Sequence, residues 1–258
     1  MNLREIWADG RATLGAWLSS PSTAVAETTA RVGFDYVCVD NQHGAVDYQA
    51  TVGMVQGILL GGSRAIARVP WNEPGILGKM LDAGVEGVVV PMVNSVAEAQ
   101  AVVRGTRYPP LGERSFGPVM AGMRTDGYHA TANDRVAVIP MIETVQALRN
   151  IDDILAVPGI DAIYVGPADL SLSLGLPPGN NDDRAEFTDA LLAIVAACRK
   201  AGVVPGIHST GDLTPRRLEQ GFRMITVTSD LLAMRVRMTE ELAQGRGAQG
   251  PAGSGAMY

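Results

Sequence analysis

Two acidic residues stand directly behind apolar runs in this chain. Val136–Ile142 is apolar and delivers Glu143, while Ala162–Val165 is apolar, passes through Gly166-Pro167-Ala168 and delivers Asp169. In a parallel α/β protein such runs are buried strands, and the side chains just past their C-terminal ends share one mouth, where these folds keep their chemistry. Two carboxylates there suit a hard divalent cation, Mg²⁺ or Mn²⁺, which keeps several waters and leaves positions for a chelating substrate. Zinc suits the site less, because neither histidine nor cysteine is close to either acid in sequence. Taken singly, each acid also has a plainer reading as a helix or turn cap.

Three further residues sit at strand ends. Asp40 closes the apolar run Tyr36–Val39 and His43 follows it by three positions. That spacing lets the acid orient the imidazole and raise its basicity, as a general base requires. Arg68 ends the run Arg64–Val69, where its head would meet a carboxylate or a developing oxyanion. His43, His129 and His208 are the only histidines. His129 lies in an irregular stretch, and His208 ends a strand with no partner acid beyond Asp212. Arg114 and Arg124, in the same irregular stretch, are candidates to greet an anionic substrate. Lys79 and Lys200 are the only lysines, and both fall inside helical patterns. Schiff-base chemistry needs a lysine at a strand end, so carbonyl activation falls to a metal.

The elements that position these residues alternate regularly. Strands are predicted over Ala12–Leu18, Asp35–Asp40, Arg64–Val69, Gly87–Val93, Val136–Ile142, Ala162–Val165, Val203–Ile207 and Met224–Val227. Helices are predicted over Ser22–Val32, Asp47–Leu60, a third to about Ala83, Ser95–Arg107, Val145–Leu155, Arg184–Ala201, a short one near Arg216, and Leu231–Leu242. Gly61-Gly62 and Gly84 stop the second and third, and Ser95 with Glu98 has the spacing of a capping box. Only Tyr108–Arg135 breaks the rhythm, and an irregular segment of that length usually serves as a lid or an interface. Eight strands alternating with helices give a (β/α)8 barrel of TIM type. A doubly wound open sheet is the alternative, but no Gly-x-Gly-x-x-Gly turn follows the first strand.

Composition bounds the rest. A chain of 258 residues with no linker-like segment reads as one barrel domain over residues 1–242 and a Gly/Ala-rich, disordered tail over 243–258. The net charge is −6 with acids and bases interspersed, which excludes the basic stripe of a nucleic-acid binder. No apolar run reaches membrane-spanning length and the N-terminus lacks the apolar block of a signal peptide. Cys38 and Cys198 are unclustered and read as buried thiols in a reducing compartment. A cytoplasmic protein with small-molecule partners is expected.

The motifs together resemble the HpcH/HpaI family of metal-dependent pyruvate aldolases. The matching stretches are Gly15-Ala16-Trp17-Leu18, Asp40-Asn41-Gln42-His43, Arg68-Val69-Pro70-Trp71-Asn72, Pro91-Met92-Val93-Asn94-Ser95, Arg107-Tyr108-Pro109-Pro110 with Gly112–Pro118, Ile142-Glu143-Thr144, and Gly166–Ser171. They run in order over about residues 3–242. The resemblance implies a (β/α)8 barrel in which Glu143 and Asp169 bind Mg²⁺ or Mn²⁺, Arg68 holds the pyruvate oxygen, and His43 with Asp40 is the base. It lends the backbone of Gly166, Pro167 and Ala168 to the pyruvate carboxylate and makes Trp17 an apolar wall. It also implies a homohexamer, a trimer of dimers, in which neighbours exchange the last helix.

The implied reaction is addition of a pyruvate enolate to an aldehyde, or the reverse cleavage of a 4-hydroxy-2-keto acid. Arg114–Pro118 also resembles relatives that make the same enolate by decarboxylating oxaloacetate, and a CoA-thioester lyase could use the same metal site. A barrel that binds a 2-keto acid without turnover is the alternative outside enzymes. Asn41-Gln42 and Ile207-His208-Ser209-Thr210 depart from the family pattern, both on the presumed aldehyde side.

Overall fold

The strand-forming runs are apolar on both faces because both faces are covered, as an all-parallel sheet requires. The computed structural model describes residues 1–247. Its strands are β1 (Thr13–Leu18), β2 (Tyr36–Asp40), β3 (Arg64–Arg68), β4 (Gly87–Val90), β5 (Ala137–Pro140), β6 (Ala162–Val165), β7 (Val204–His208) and β8 (Met224–Ser229). They form one parallel sheet in the order β5-β4-β3-β2-β1-β8-β7-β6. Its two edges meet: Met141 bridges Tyr164, Ile142 N donates to Tyr164 O at 2.9 Å and Asp161 N to Val138 O at 3.1 Å. The sheet is the expected TIM-type (β/α)8 barrel.

Alternation along each strand sorts side chains between two cores. In β2, Val37 and Val39 face the surrounding helices while Tyr36 and Cys38 fill the barrel. In β3, Ala65 and Ala67 face outward and Ile66 inward. The same count sends Asp40 and Arg68, the last residues of these strands, into the C-terminal mouth. The interior is packed solid: a Cβ on Gly15 would lie 2.2 Å from the Tyr36 ring, so only glycine admits that ring. The Tyr36 and Tyr164 hydroxyls meet on Thr226 Oγ1 at 3.1 and 2.5 Å.

Outside the helix Pro167–Ser173 at the site, four elements differ from the sequence expectation. A helix at Leu3–Ala8, capped by Asn2 and Glu5, plugs the N-terminal end of the barrel with Leu3 and Trp7. Arg4 of that helix pairs with Asp161 at 2.7 Å, and the Trp7 indole donates to Thr13 Oγ1 at 3.1 Å. The irregular segment 108–135 carries two short helices, Val119–Arg124 and Tyr128–Arg135. The single helix expected over Val145–Leu155 is broken at Asn150, whose amide donates to Asn94 O at 2.8 Å. The last helix spans Asp230–Gly245, so it continues past Leu242 into the expected tail. The rest of that tail, residues 248–258, lies outside the described residues. No helix among the described residues is long and apolar enough to cross a membrane.

Candidate active site

Glu143 follows β5 by three residues and is buried. It does not cap the next helix, because Thr144 does so, accepting from Ala147 N at 3.0 Å. Instead Glu143 Oε1 accepts from Met92 N at 2.8 Å. Met92 has a φ of 57°, a left-handed conformation uncommon for a residue with a side chain. Glu143 Oε2 is buried and has no hydrogen-bond partner among the described residues. Burial first of all pushes the Glu143 carboxyl up to about 7; the Met92 N–H and Arg68 oppose this, and the charge of Asp169 adds to it. A buried carboxyl oxygen without a donor can be satisfied by a proton or by a cation.

The chain opposite is shaped to that oxygen. A Cβ on Gly166 would fall 2.4 Å from Glu143 Oε2, so the carboxylate occupies space that only glycine leaves. Gly166 is also the N-cap of the helix Pro167–Ser173, which puts Asp169 in its first turn, partly exposed, on the same side of the mouth. No side chain caps that helix, so the amide groups of Ala168 and Asp169 keep free donors. The sequence expectation for Asp169 was a residue at a strand exit; the structure makes it a helix residue. Among the described residues no group of three or more His, Cys, Asp or Glu side chains forms a ready-made metal cage. Two carboxylates with the remaining positions left to water and substrate fit Mg²⁺ or Mn²⁺ better than a closed zinc site.

Across the mouth, Asp40 and Arg68 are paired residues of neighbouring strands. Arg68 Nε donates to Asp40 Oδ1 at 2.9 Å and Arg68 Nη2 to Asp40 Oδ2 at 2.6 Å, a two-pronged charge-assisted pair. Trp17 Nε1 also donates to Asp40 Oδ2, at 3.1 Å, and the Arg68 guanidinium lies 5.0 Å from the Trp17 ring centroid. The remaining Asp40 contacts are backbone N–H groups of Gln42 and His43, at 3.0 and 3.2 Å. Burial alone would raise the Asp40 carboxyl, but the Arg68 hydrogen bonds and charge outweigh it and hold it below its ordinary value. The expected support of the His43 imidazole by Asp40 is therefore replaced. The acid touches the backbone of His43 and spends its oxygens on Arg68 and Trp17. His43 itself stands exposed at the rim.

Trp17 joins this half of the site to β7. Its ring stacks on Tyr164 at 5.4 Å and meets the His208 ring edge-on at 5.2 Å. The other candidates lie elsewhere. Arg114 is buried in an ion pair with Asp82 at 2.8 Å and packs over Tyr108 at 4.4 Å, so it holds the irregular segment rather than greeting a substrate. Arg124 donates to Ala83 O at 3.0 Å and His129 packs on Tyr108 at 4.9 Å. Trp17, Asp40, Arg68, Glu143, Gly166 and Asp169 are thus brought to one mouth, with His43 at its edge. Met92 was not anticipated as a support for Glu143, since a left-handed methionine leaves no mark in the sequence.

Comparison with known proteins agrees with this arrangement. The family profile described as HpcH/HpaI aldolase/citrate lyase matches residues 13–235. A hydroxypyruvate/pyruvate aldolase of Rhizorhabdus wittichii is 38% identical over 246 residues, covering 95% of this chain and 98% of the relative. A 4-hydroxy-2-oxo-heptane-1,7-dioate aldolase of Shigella sonnei is 35% identical over 254 residues, covering 96% of each. The crystal structure of an HpcH/HpaI aldolase from Desulfitobacterium hafniense superposes with a TM-score of 0.89 at 26% identity, covering 98% of each chain. With this barrel and this mouth, the chain belongs to the HpcH/HpaI aldolase/citrate lyase family of carbon–carbon lyases.

Proposed function

We propose that this protein is a divalent-metal-dependent aldolase that forms and cleaves 4-hydroxy-2-keto acids through a pyruvate enolate. The observation that carries the reading is Glu143 Oε2, a buried carboxylate oxygen without a donor, set against Gly166 and beside Asp169. Glu143 and Asp169 are the residues to hold the ion, Mg²⁺ or Mn²⁺. When bound, the ion supplies Lewis acidity to the keto oxygen of pyruvate.

The chain's own residues do the rest. Arg68, fixed by both oxygens of Asp40, presents positive charge to the oxygen on which negative charge builds. Because the guanidinium is already oriented, little reorganisation opposes charge development. The free amides of Ala168 and Asp169, beyond Gly166 and Pro167, suit the pyruvate carboxylate. Trp17 gives the apolar wall. His43 takes a methyl proton, leaving the enolate carbon to attack an aldehyde carbonyl; the new alkoxide then takes up a proton. The names of the aldolase relatives support this substrate class, and the two hydrogen bonds from Arg68 to Asp40 support a positioning role for that acid.

The reading extends to the assembly and its setting. The chain is one barrel domain, and its last helix has no buried residue, with Leu231, Met234, Val236, Met238 and Leu242 all exposed. Such a stripe supports exchange of this helix between neighbours in a homohexamer. Buried, unpaired Cys38 and Cys198 support a reducing, cytoplasmic setting.

Proton NMR of pyruvate in D₂O tests the reaction. The methyl signal should disappear with the protein and Mg²⁺ or Mn²⁺, persist with EDTA, and persist with His43→Ala even though that variant still binds Mn²⁺. No exchange by the wild type with metal bound removes the enolate reading. Exchange without aldehyde-dependent carbon–carbon bond formation instead favours decarboxylation of oxaloacetate.

A further inference from the structure

His208 is an ionisable group of the mouth that the mechanism above leaves unused. It ends β7, in register with Thr226 of β8. Its neighbour Ile207 belongs to the outer core, so alternation turns His208 inward. Its ring meets the edge of Trp17 at 5.2 Å, and Trp17 in turn carries Arg68 at 5.0 Å and donates to Asp40 at 3.1 Å. Among the described residues no ring hydrogen bond holds the imidazole, and it is neither a cap nor a member of an ion pair.

Its electrostatic surroundings fix its form. Burial lowers its pKa to about 4, Arg68 adds to the lowering and Asp40 opposes it. At neutral pH the ring is uncharged and offers one N–H donor and one lone pair at once. It lacks the charge needed to hold pyruvate, whose anionic groups the proposed reaction gives to Arg68, to the amides of Ala168 and Asp169, and to the ion. What a neutral imidazole matches is a hydroxyl, which likewise donates and accepts.

We propose that His208 is a specificity-determining residue of the acceptor side, hydrogen-bonding the hydroxyl of a 2-hydroxyaldehyde and so favouring such acceptors over plain alkyl aldehydes. This inference rests on the aldolase reading. The discrimination follows from the cost of the mismatch. An alkyl aldehyde strips water from the ring and returns no partner, whereas a hydroxyaldehyde replaces it.

The test compares kcat/KM for the metal-dependent addition of pyruvate to glycolaldehyde and to acetaldehyde, in the wild type, His208→Phe and His208→Asn. The ratio of the two acceptors cancels any general loss from damage to the fold, the metal site or the enolate step. The wild type should prefer glycolaldehyde, His208→Phe should lower that ratio by about tenfold, and His208→Asn, which keeps a donor and an acceptor, should restore part of it. An unchanged ratio in His208→Phe overturns the inference, as does a wild type without preference for the hydroxyaldehyde. Failure of the wild type to exchange the pyruvate methyl protons is a different result, since it removes the aldolase reading itself.

Discussion

Substituting Gly166 by alanine tests the metal seat with one methyl group. The new Cβ would lie 2.4 Å from Glu143 Oε2, 3.1 Å from Met141 Cε and 3.6 Å from Glu143 Cβ. The first contact is far inside van der Waals separation, so something must move. The backbone of Gly166 is held by the exit of β6 and by the helix it caps, with Leu170 N donating to its carbonyl at 3.0 Å. Glu143 Oε2 is the end of a flexible side chain with no partner, so it yields first. Its rotation strains or breaks the 2.8 Å bond from Met92 N to Oε1. Overpacking of this kind costs about 1–3 kcal/mol, and a yielding side chain places the cost near the lower end. The metal site fares worse, because the displaced oxygen is the one offered to the ion. Disturbing the support of a metal ligand lowers affinity about 10–100-fold, and displacing the ligand atom itself should cost at least that much. Calorimetric titration of Gly166→Ala and wild type with Mn²⁺, alongside thermal unfolding without metal, separates the two effects. A folded Gly166→Ala protein with wild-type Mn²⁺ affinity would refute the placement of the ion against Glu143 Oε2.

Two further predictions concern the charges of the mouth. The Glu143 carboxyl lies at about 7 in the folded protein and near 4.5 in the unfolded chain. Its value is raised on folding, so its stabilising contribution is complete below the unfolded value and is lost as pH rises through about 7. The loss amounts to about 3 kcal/mol by linkage. Denaturant unfolding in EDTA should show the decline between about pH 4.5 and 7.5, and Glu143→Gln should flatten it; equal slopes in both proteins would refute the assignment. Asp40→Asn leaves Arg68 without its counter-charge in a buried setting, which costs about 3–5 kcal/mol. It should lower the unfolding midpoint and slow pyruvate exchange while Mn²⁺ affinity is kept, and a midpoint equal to that of the wild type would count against the pair.

The strands were legible because each is an apolar run closed by a polar residue, and the mouth was legible because those polar residues all stand at the same end. Glycine ends to helices were equally plain: Gly84 takes the left-handed φ of 101° that stops its helix. The plug helix carries a readable signal, Asn2 and Glu5 around Leu3, Ile6 and Trp7, but six residues are too few to show a helical period. The two helices within 108–135 have no such signal. They have little apolar periodicity and are held by distant partners, Arg114 on Asp82 and Arg124 on the carbonyl of Ala83. Register is the other information that local sequence lacks. Asp40 and His43 are three residues apart, which made their partnership attractive, yet strand pairing sets Asp40 directly against Arg68, 28 positions away.

That pairing changes the electrostatics of the whole mouth. Asp40 and Arg68 neutralise one another at 2.6 Å, and His208 is uncharged at neutral pH. The acids left over are Glu143 and Asp169, on the side where Gly166 makes room. Burial above all, with the charge of Asp169 added, keeps a proton on Glu143 up to about pH 7. A divalent ion at the proposed site would balance both carboxylates and favour their ionised forms. At the proposed metal site, uptake of the ion near neutral pH would therefore be coupled to proton release from Glu143. The barrel thus divides the charges of the mouth by position: strands β2 and β3 hold the paired Asp40 and Arg68, while the exits of β5 and β6 hold the carboxyls of Glu143 and Asp169.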